Sequence, residues 1–192
     1  MAKTNLRDFT VQEKLNKMDV DVIEVTSASI TTNATGELAI LPTEIPNAVA
    51  VPGGSCIIQS ITAYNPSAND LPLTIFISNS SQAFTGGSGT DPAVVGSTVL
   101  GANLNTLASD ANVATILGGV QFVTAISSPE EVGNADKIYS VNSIGSPAKA
   151  AAGETSLYFW AVSDGSATPS VAYTFKIGSV SYTHLTLPTI VG

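Results

Sequence analysis

Val171, Tyr173, Phe175 and Ile177 alternate with Ala172, Thr174 and Lys176. A period of two puts the first set on one side of an extended chain and the second on the other. The same beat recurs from Asp19 onward, as in Leu73, Ile75 and Ile77 against Thr74, Phe76 and Ser78. The runs are short. Between them stand turn formers: Pro52-Gly53-Gly54, Asn65-Pro66, Gly86-Gly87-Ser88-Gly89, Gly145-Ser146-Pro147 and Asp164-Gly165. Many short strands separated by such clusters specify an all-β sandwich or barrel.

The pattern predicts strands at Val20–Thr26, 37–41, 48–51, 56–64, Leu73–Ser78, 120–126, 137–141, 157–162 and 171–177. Residues 84–113 read as an elaborated loop, with one more strand near 94–100 and a helical turn near 104–110. No internal repeat and no interdomain linker is visible, so residues 19–179 read as one domain.

Residues 1–18 read differently. Thr10-Val11-Gln12-Glu13 has the form of a capping box, in which Thr bonds the N3 amide and Glu reaches back. Val11, Leu15 and Met18 follow at i, i+4 and i+7, one helical face. This predicts a short helix over 11–17. So short a helix is marginal alone, so its apolar stripe needs a partner.

Charge separates the same two regions. Lys3, Arg7, Lys14 and Lys17 against Asp8 and Glu13 give the arm a net +2. From Met18 to Asp136 there is no Lys or Arg. That span carries Asp19, Asp21, Glu24, Glu37, Glu44, Asp70, Asp91, Asp110, Glu130, Glu131 and Asp136. The whole chain has net charge −8. An acidic body lacks the basic footprint that nucleic acid requires. Charged residues are only 11% of the chain, under half the roughly 25% of an ordinary domain. Solubility then rests on Ser, Thr, Asn and Gly. The abundance of Val, Ile and Leu argues against disorder. The N-terminus shows no apolar signal region, and the charge-free stretches carry Asn, Gln, Pro and Gly-Gly, which predicts no membrane span.

Chemistry-bearing constellations are scarce. The single cysteine, Cys56, sits in Ser55-Cys56-Ile57-Ile58 and reads as a buried thiol. Serine-triad hydrolysis needs an imidazole, and the only one is His184. Zinc needs several His or Cys ligands, and a phosphate loop needs Gly-Lys-Ser/Thr. Calcium needs converging carboxylates, but strand alternation puts Glu24 opposite Asp19 and Asp21. Glu130-Glu131 are adjacent and point apart on a strand, unlike the facing pair of a glycosidase. The expectation is therefore a non-enzyme without cofactor or metal. Tyr158-Phe159-Trp160 places aromatics on both faces of one strand, which suits core and interface better than a sugar platform.

One segment stands apart. Val180-Ser181-Tyr182-Thr183-His184-Leu185-Thr186-Leu187-Pro188-Thr189 resembles a translated transposase sequencing adapter, residue for residue. That resemblance implies a coding sequence interrupted near Ser179, residues 180–192 as an artefact, and assembled environmental reads as the source. His184 then does not belong to the natural protein.

Several other segments resemble small structural proteins of tailed bacteriophages, of the marine and cyanophage type. They are the opening Met1-Ala2-Lys3-Thr4-Asn5-Leu6-Arg7-Asp8-Phe9-Thr10-Val11-Gln12-Glu13, then Glu44-Ile45-Pro46-Asn47-Ala48-Val49-Ala50-Val51, Thr155-Ser156-Leu157-Tyr158-Phe159-Trp160-Ala161-Val162 and Tyr173-Thr174-Phe175-Lys176-Ile177-Gly178. The resemblance implies a virion component assembled in the host cytoplasm: a head decoration (cement) or fibre-like protein with a jelly-roll β-sandwich. It implies partners among the virion proteins, the major capsid protein first, and a homo-oligomer, such as a trimer. It brings no catalytic residues, nucleic acid or membrane. Together with the arm's stripe, it makes Leu6, Arg7, Phe9, Val11, Lys14, Leu15 and Met18 the expected partner-docking residues. The alternative is a glycan-binding adhesion module of a head or tail fibre, with Trp160 in its site.

Overall fold

The computed structural model describes residues 20–30, 38–81, 115–122, 126–127 and 136–181. Among these residues nine strands form: β1 (Val20–Thr26), β2 (Leu38–Ile45), β3 (Ser55–Asn65), β4 (Leu73–Ser78), β5 (Ile116–Gln121), β6 (Ile126–Ser127), β7 (Lys137–Lys149), β8 (Leu157–Ser163) and β9 (Thr174–Ser181). They make two antiparallel sheets, in the orders β1-β9-β3-β7-β6 and β2-β8-β4-β5. With the two-residue β6 set aside, β1 pairs with β9, β2 with β8, β3 with β7 and β4 with β5. The chain is thus one long nested hairpin, rolled so that β9 also joins β3 and β8 also joins β4. That is the jelly-roll form of the all-β sandwich expected from the sequence. Among the described residues there is no α-helix, and the helix expected over 11–17 lies outside them.

Alternation builds the core. Ile58, Ile61, Ala63, Phe175 and Ile177 from the first sheet meet Ile40, Ile45, Ile75, Ile77, Leu157 and Phe159 from the second. Phe159 and Phe175 bridge the layers with ring centroids 4.8 Å apart. Cys56 joins this cluster at 1% exposure, as expected, and burial pushes its thiol up from the ordinary value.

Five elements depart from the sequence expectation, the first being the strand expected over 37–41, which runs from Leu38 on to Ile45. The predicted strand at 48–51 is a turn. Asn47 takes a left-handed conformation (φ 53°), and Ala48 and Val49 are buried as loop residues. The strand predicted at 120–126 starts earlier, at Ile116, and runs through two glycines. A Cβ on Gly118 would lie 2.6 Å from Ser146 Oγ of β7, so glycine lets the two sheets close there. The strand predicted at 137–141 continues to Lys149. Ser143 and Gly145 adopt positive φ and bulge out, and pairing resumes at Ser146 opposite Ile58. Pro147 is tolerated because β6 covers β7 only at Lys137 and Ile138, so β7 is an edge strand there. Finally, β9 begins at Thr174 and runs on through Val180 and Ser181, the first two residues of the adapter-like string. Val180 pairs with Val20 and Ile57.

Candidate functional site

The strand directions divide the sandwich into two ends. Residues 66–72 and 164–173 connect strands at one end, and residues 46–54 and 150–156 at the other.

At the first end, side chains do the fastening. Asn65 is fully buried, and its Nδ2 donates to Asn69 O at 2.8 Å while its Oδ1 accepts from Ser67 N at 3.0 Å. Asn69 Nδ2 donates to Thr168 O, tying one loop to the next. Asp164 Oδ2 accepts from Thr74 Oγ1 at 2.6 Å and from Gln121 Nε2 at 3.1 Å. Below these lies a pair of buried tyrosines. Tyr139 OH donates to Asp70 and accepts from Leu71 N. Burial first, then the Asp70 hydrogen bond, push the Tyr139 hydroxyl far above the ordinary tyrosine range. Tyr173 stacks on Tyr139, and its hydroxyl has no hydrogen-bond partner among the described residues. Burial likewise pushes it far up. Asp70, Asp164 and Tyr139 are thus engaged by hydrogen bonds within the fold.

At the second end, backbone bonds between the loops predominate, joined by Ser156 Oγ donating to Glu44 and by Ser179 and Ser181 Oγ donating to Ala48 O. Val49 N bonds to Thr155 O, Gly53 N to Glu154 O, Ala150 N to Gly54 O and Gly54 N to Val51 O. Gly53 needs its left-handed φ of 67° to make that turn. Several apolar side chains of these loops stay at the surface. Ala50, Val51, Pro52 and Ala152 are exposed, Val51 at 50%. The adjoining rungs of the first sheet continue the apolar character outward. The half-buried Ile57 pairs with Val180 and the exposed Pro147. Of the two most exposed large aliphatics among the described residues, Val51 belongs to this end, whereas Val22, exposed at 65%, lies mid-sheet on the rung of Gly178 and Ser60.

The outer faces of the sheets differ as well. That of the first sheet is polar beyond those rungs. It carries Thr62 bonded to Ser140, Tyr64 donating to Asp136 at 2.7 Å, and Lys176 at 3.7 Å from Glu24. The ion pair is exposed on both sides, so solvent screens it. The outer face of the second sheet is apolar: Leu38, Leu41, Phe76, Ile116, Trp160 and Val162 form a second cluster. Trp160 stacks on Phe76 at 4.3 Å and 11° and is 0% exposed. A sugar platform needs an open ring face, and Trp160 offers none.

Among the described residues no three His, Cys, Asp or Glu side chains gather to hold a metal. Among them, too, no helix is long and apolar enough to cross a membrane. Asp21 and Glu24 stand on opposite faces of β1, opposite Ser179 and Lys176. Asp19, Glu130, Glu131 and His184 lie outside the described residues, as do Leu6, Arg7, Phe9, Val11, Lys14, Leu15 and Met18. The structure fixes where that arm joins the body: at Val20, whose partner is Val180, at the apolar end. Sequence reasoning missed Val22, Val51, Asn65 and Tyr139. The signal for Val51 was the uncharged run Ala48-Val49-Ala50-Val51-Pro52-Gly53-Gly54, too apolar for a solvated loop. Nothing local marks Asn65 or Tyr139, whose partners are distant in sequence.

No protein-family model matches the chain. No curated protein matches it in sequence.

Proposed function

We propose that this chain is a structural protein of a tailed-phage particle, a decoration (cement) protein that stabilises the head through protein–protein contacts and performs no catalysis. The observation that carries this reading is the apolar end. Two of the phage-like segments, 44–51 and 155–162, meet there: Ser156 Oγ donates to Glu44 at 2.6 Å and Val49 N to Thr155 O. Exposed aliphatics clustered at the rim of a polar body suit contact with another protein. The acids of the opposite end are spent on holding loops, which suits a scaffold more than a catalyst. Jelly rolls serve capsid and lectin roles alike, so the fold by itself does not choose between them. Fewer charges than an ordinary domain also favour a surface made for packing, since interface cores are depleted of charge.

A protein that binds only the assembled lattice raises the lattice's stability by mass action. Purified protein added to undecorated heads should therefore co-sediment saturably and raise the temperature at which the heads release DNA. Absence of co-sedimentation at saturating protein, or turnover of any substrate by the purified chain, would remove this assignment.

A further inference from the structure

We propose that the outer edge of β1 takes up an extended segment of another protein, one that carries two Lys or Arg three residues apart. Among the described residues β1 pairs only with β9, so its far side presents unpaired backbone N–H and C=O groups. Such an edge adds a strand readily. Main-chain bonds supply the affinity, and the alternating side chains supply the specificity.

Among the described residues the other sheet edges are guarded, and β1 is not. β2 carries Pro42 in mid-strand and breaks register twice against β8. β5 carries Gly118 and Gly119, and Gly118 lies close against Ser146 of β7. β7, beyond the two rungs that β6 covers, bulges at Ser143 and Gly145 and then meets Pro147. Bulges and proline are ordinary defences of a sheet edge. β1 has neither. Its seven residues, Val20 to Thr26, pair in unbroken register and include no Gly or Pro. Asp21, Val22, Glu24 and Thr26 are exposed, so the strand is open to solvent along its length.

Charge selects the occupant. The charged residues of β1 are Asp21 and Glu24. The β1 of a second copy, laid against this edge, would crowd two acids from each chain into a few rungs. Like charges facing across strands destabilise the pairing. A basic segment meets these acids instead, so the same two residues turn away one partner and recruit another. Because strand side chains alternate, Asp21 and Glu24 stand on opposite faces, three residues apart. A partner strand with bases at that spacing answers both, and an apolar pair between them falls beside Val22 and Ile23. The contact of Glu24 with Lys176 is exposed and screened, which leaves Glu24 able to accept a second base. Val22, exposed at 65%, would gain apolar cover.

This inference does not rest on particle binding, and Val51 takes no part in it. The test uses isotope-labelled full-length protein and a short probe peptide: two lysines three residues apart, valines between them and threonines outside. The probe should slow amide exchange within 20–26 and leave β2, β5 and β7 unchanged. The same peptide N-methylated throughout, or rearranged so that its lysines are adjacent, should bind roughly fivefold more weakly or worse. Asp21→Lys, a change at an exposed position, should weaken the probe by roughly fivefold. That variant should bind a peptide with one lysine replaced by glutamate more tightly than the wild type does. Protection absent from 20–26 or centred elsewhere, equal binding of the N-methylated peptide, or wild-type binding by Asp21→Lys would each overturn the proposal. So would protection of 20–26 in the protein alone that grows with its concentration, the mark of a second copy at the edge.

Discussion

The two ends of this sandwich are built from the same strands and fastened in different proportions. At the polar end, Asn65, Asn69, Tyr139, Thr74 and Asp164 spend their side chains on neighbouring loops, beside backbone bonds such as Asp164 N to Pro72 O. At the apolar end, backbone bonds between the loops are joined only by short serine contacts, Ser156 to Glu44 and Ser179 and Ser181 to Ala48 O, and Val51, Pro52 and Ala152 are spared. The difference teaches where stability and function reside. A side chain engaged in fastening is costly to change and unavailable to a partner. One not engaged is cheap to change and available.

The contrast can be broken by substitution. The largest effect on stability should come from Asn65→Ala, which orphans Asn69 O and Ser67 N and loosens the loop tied to Thr168. A loss of about 3 kcal/mol is expected in denaturant unfolding. A loss below about 0.5 kcal/mol would mean that side chains do not hold that end.

Tyr139→Phe should cost about 2 kcal/mol, since Asp70 loses its donor and the buried Leu71 amide its acceptor. Its pH signature sharpens the point. The folded-state values of Tyr139 and Tyr173 both lie above the ordinary tyrosine value of about 10, because burial disfavours the phenolate. Their stabilisation is therefore intact below about pH 10 and is lost as pH climbs toward the folded-state values. Wild-type stability should fall in that alkaline window, and the Tyr139→Phe, Tyr173→Phe double variant should fall less steeply.

Tyr173→Phe alone should act in the other direction. It removes a buried hydroxyl with no partner among the described residues, and a gain of about 1 kcal/mol is expected. A loss would reveal a hydrogen bond essential to the fold. The smallest effect belongs to the apolar end: Val51→Ser should leave stability within about 0.5 kcal/mol while weakening co-sedimentation with undecorated heads.

How much of this was legible in the residues follows from the same physics. β1 and β4 have the bounds the alternation predicts, because each turns one face to the core, Ile23 and Val25 in β1 and Leu73, Ile75 and Ile77 in β4. The turn at 46–54 was misread because Ala48 and Val49 are buried, and burial without hydrogen-bond pairing looks like a strand in a hydropathy pattern. β5 was displaced because Gly118 and Gly119 read as breakers, although close approach to Ser146 and to Phe76 is what makes glycine fit there. β7 was cut short because Gly145-Ser146-Pro147 reads as a turn, although it is the exit of a bulge. Aromatics on both faces of β8 correctly signalled a strand buried on both sides, as Phe159 and Trp160 are. The candidate site was less legible. It joins Val51, Ile57, Pro147 and Ala152, which only the rolled topology brings to one end.

The most direct test pairs one exposed position at each end. Val51→Glu changes the apolar end, and Ala68→Glu changes the polar loop at 66–72. Both are to be assayed for co-sedimentation with undecorated heads beside the wild type. The account predicts that wild type and Ala68→Glu bind alike and that Val51→Glu is left in the supernatant. Binding by Val51→Glu equal to wild type, or loss confined to Ala68→Glu, would contradict it.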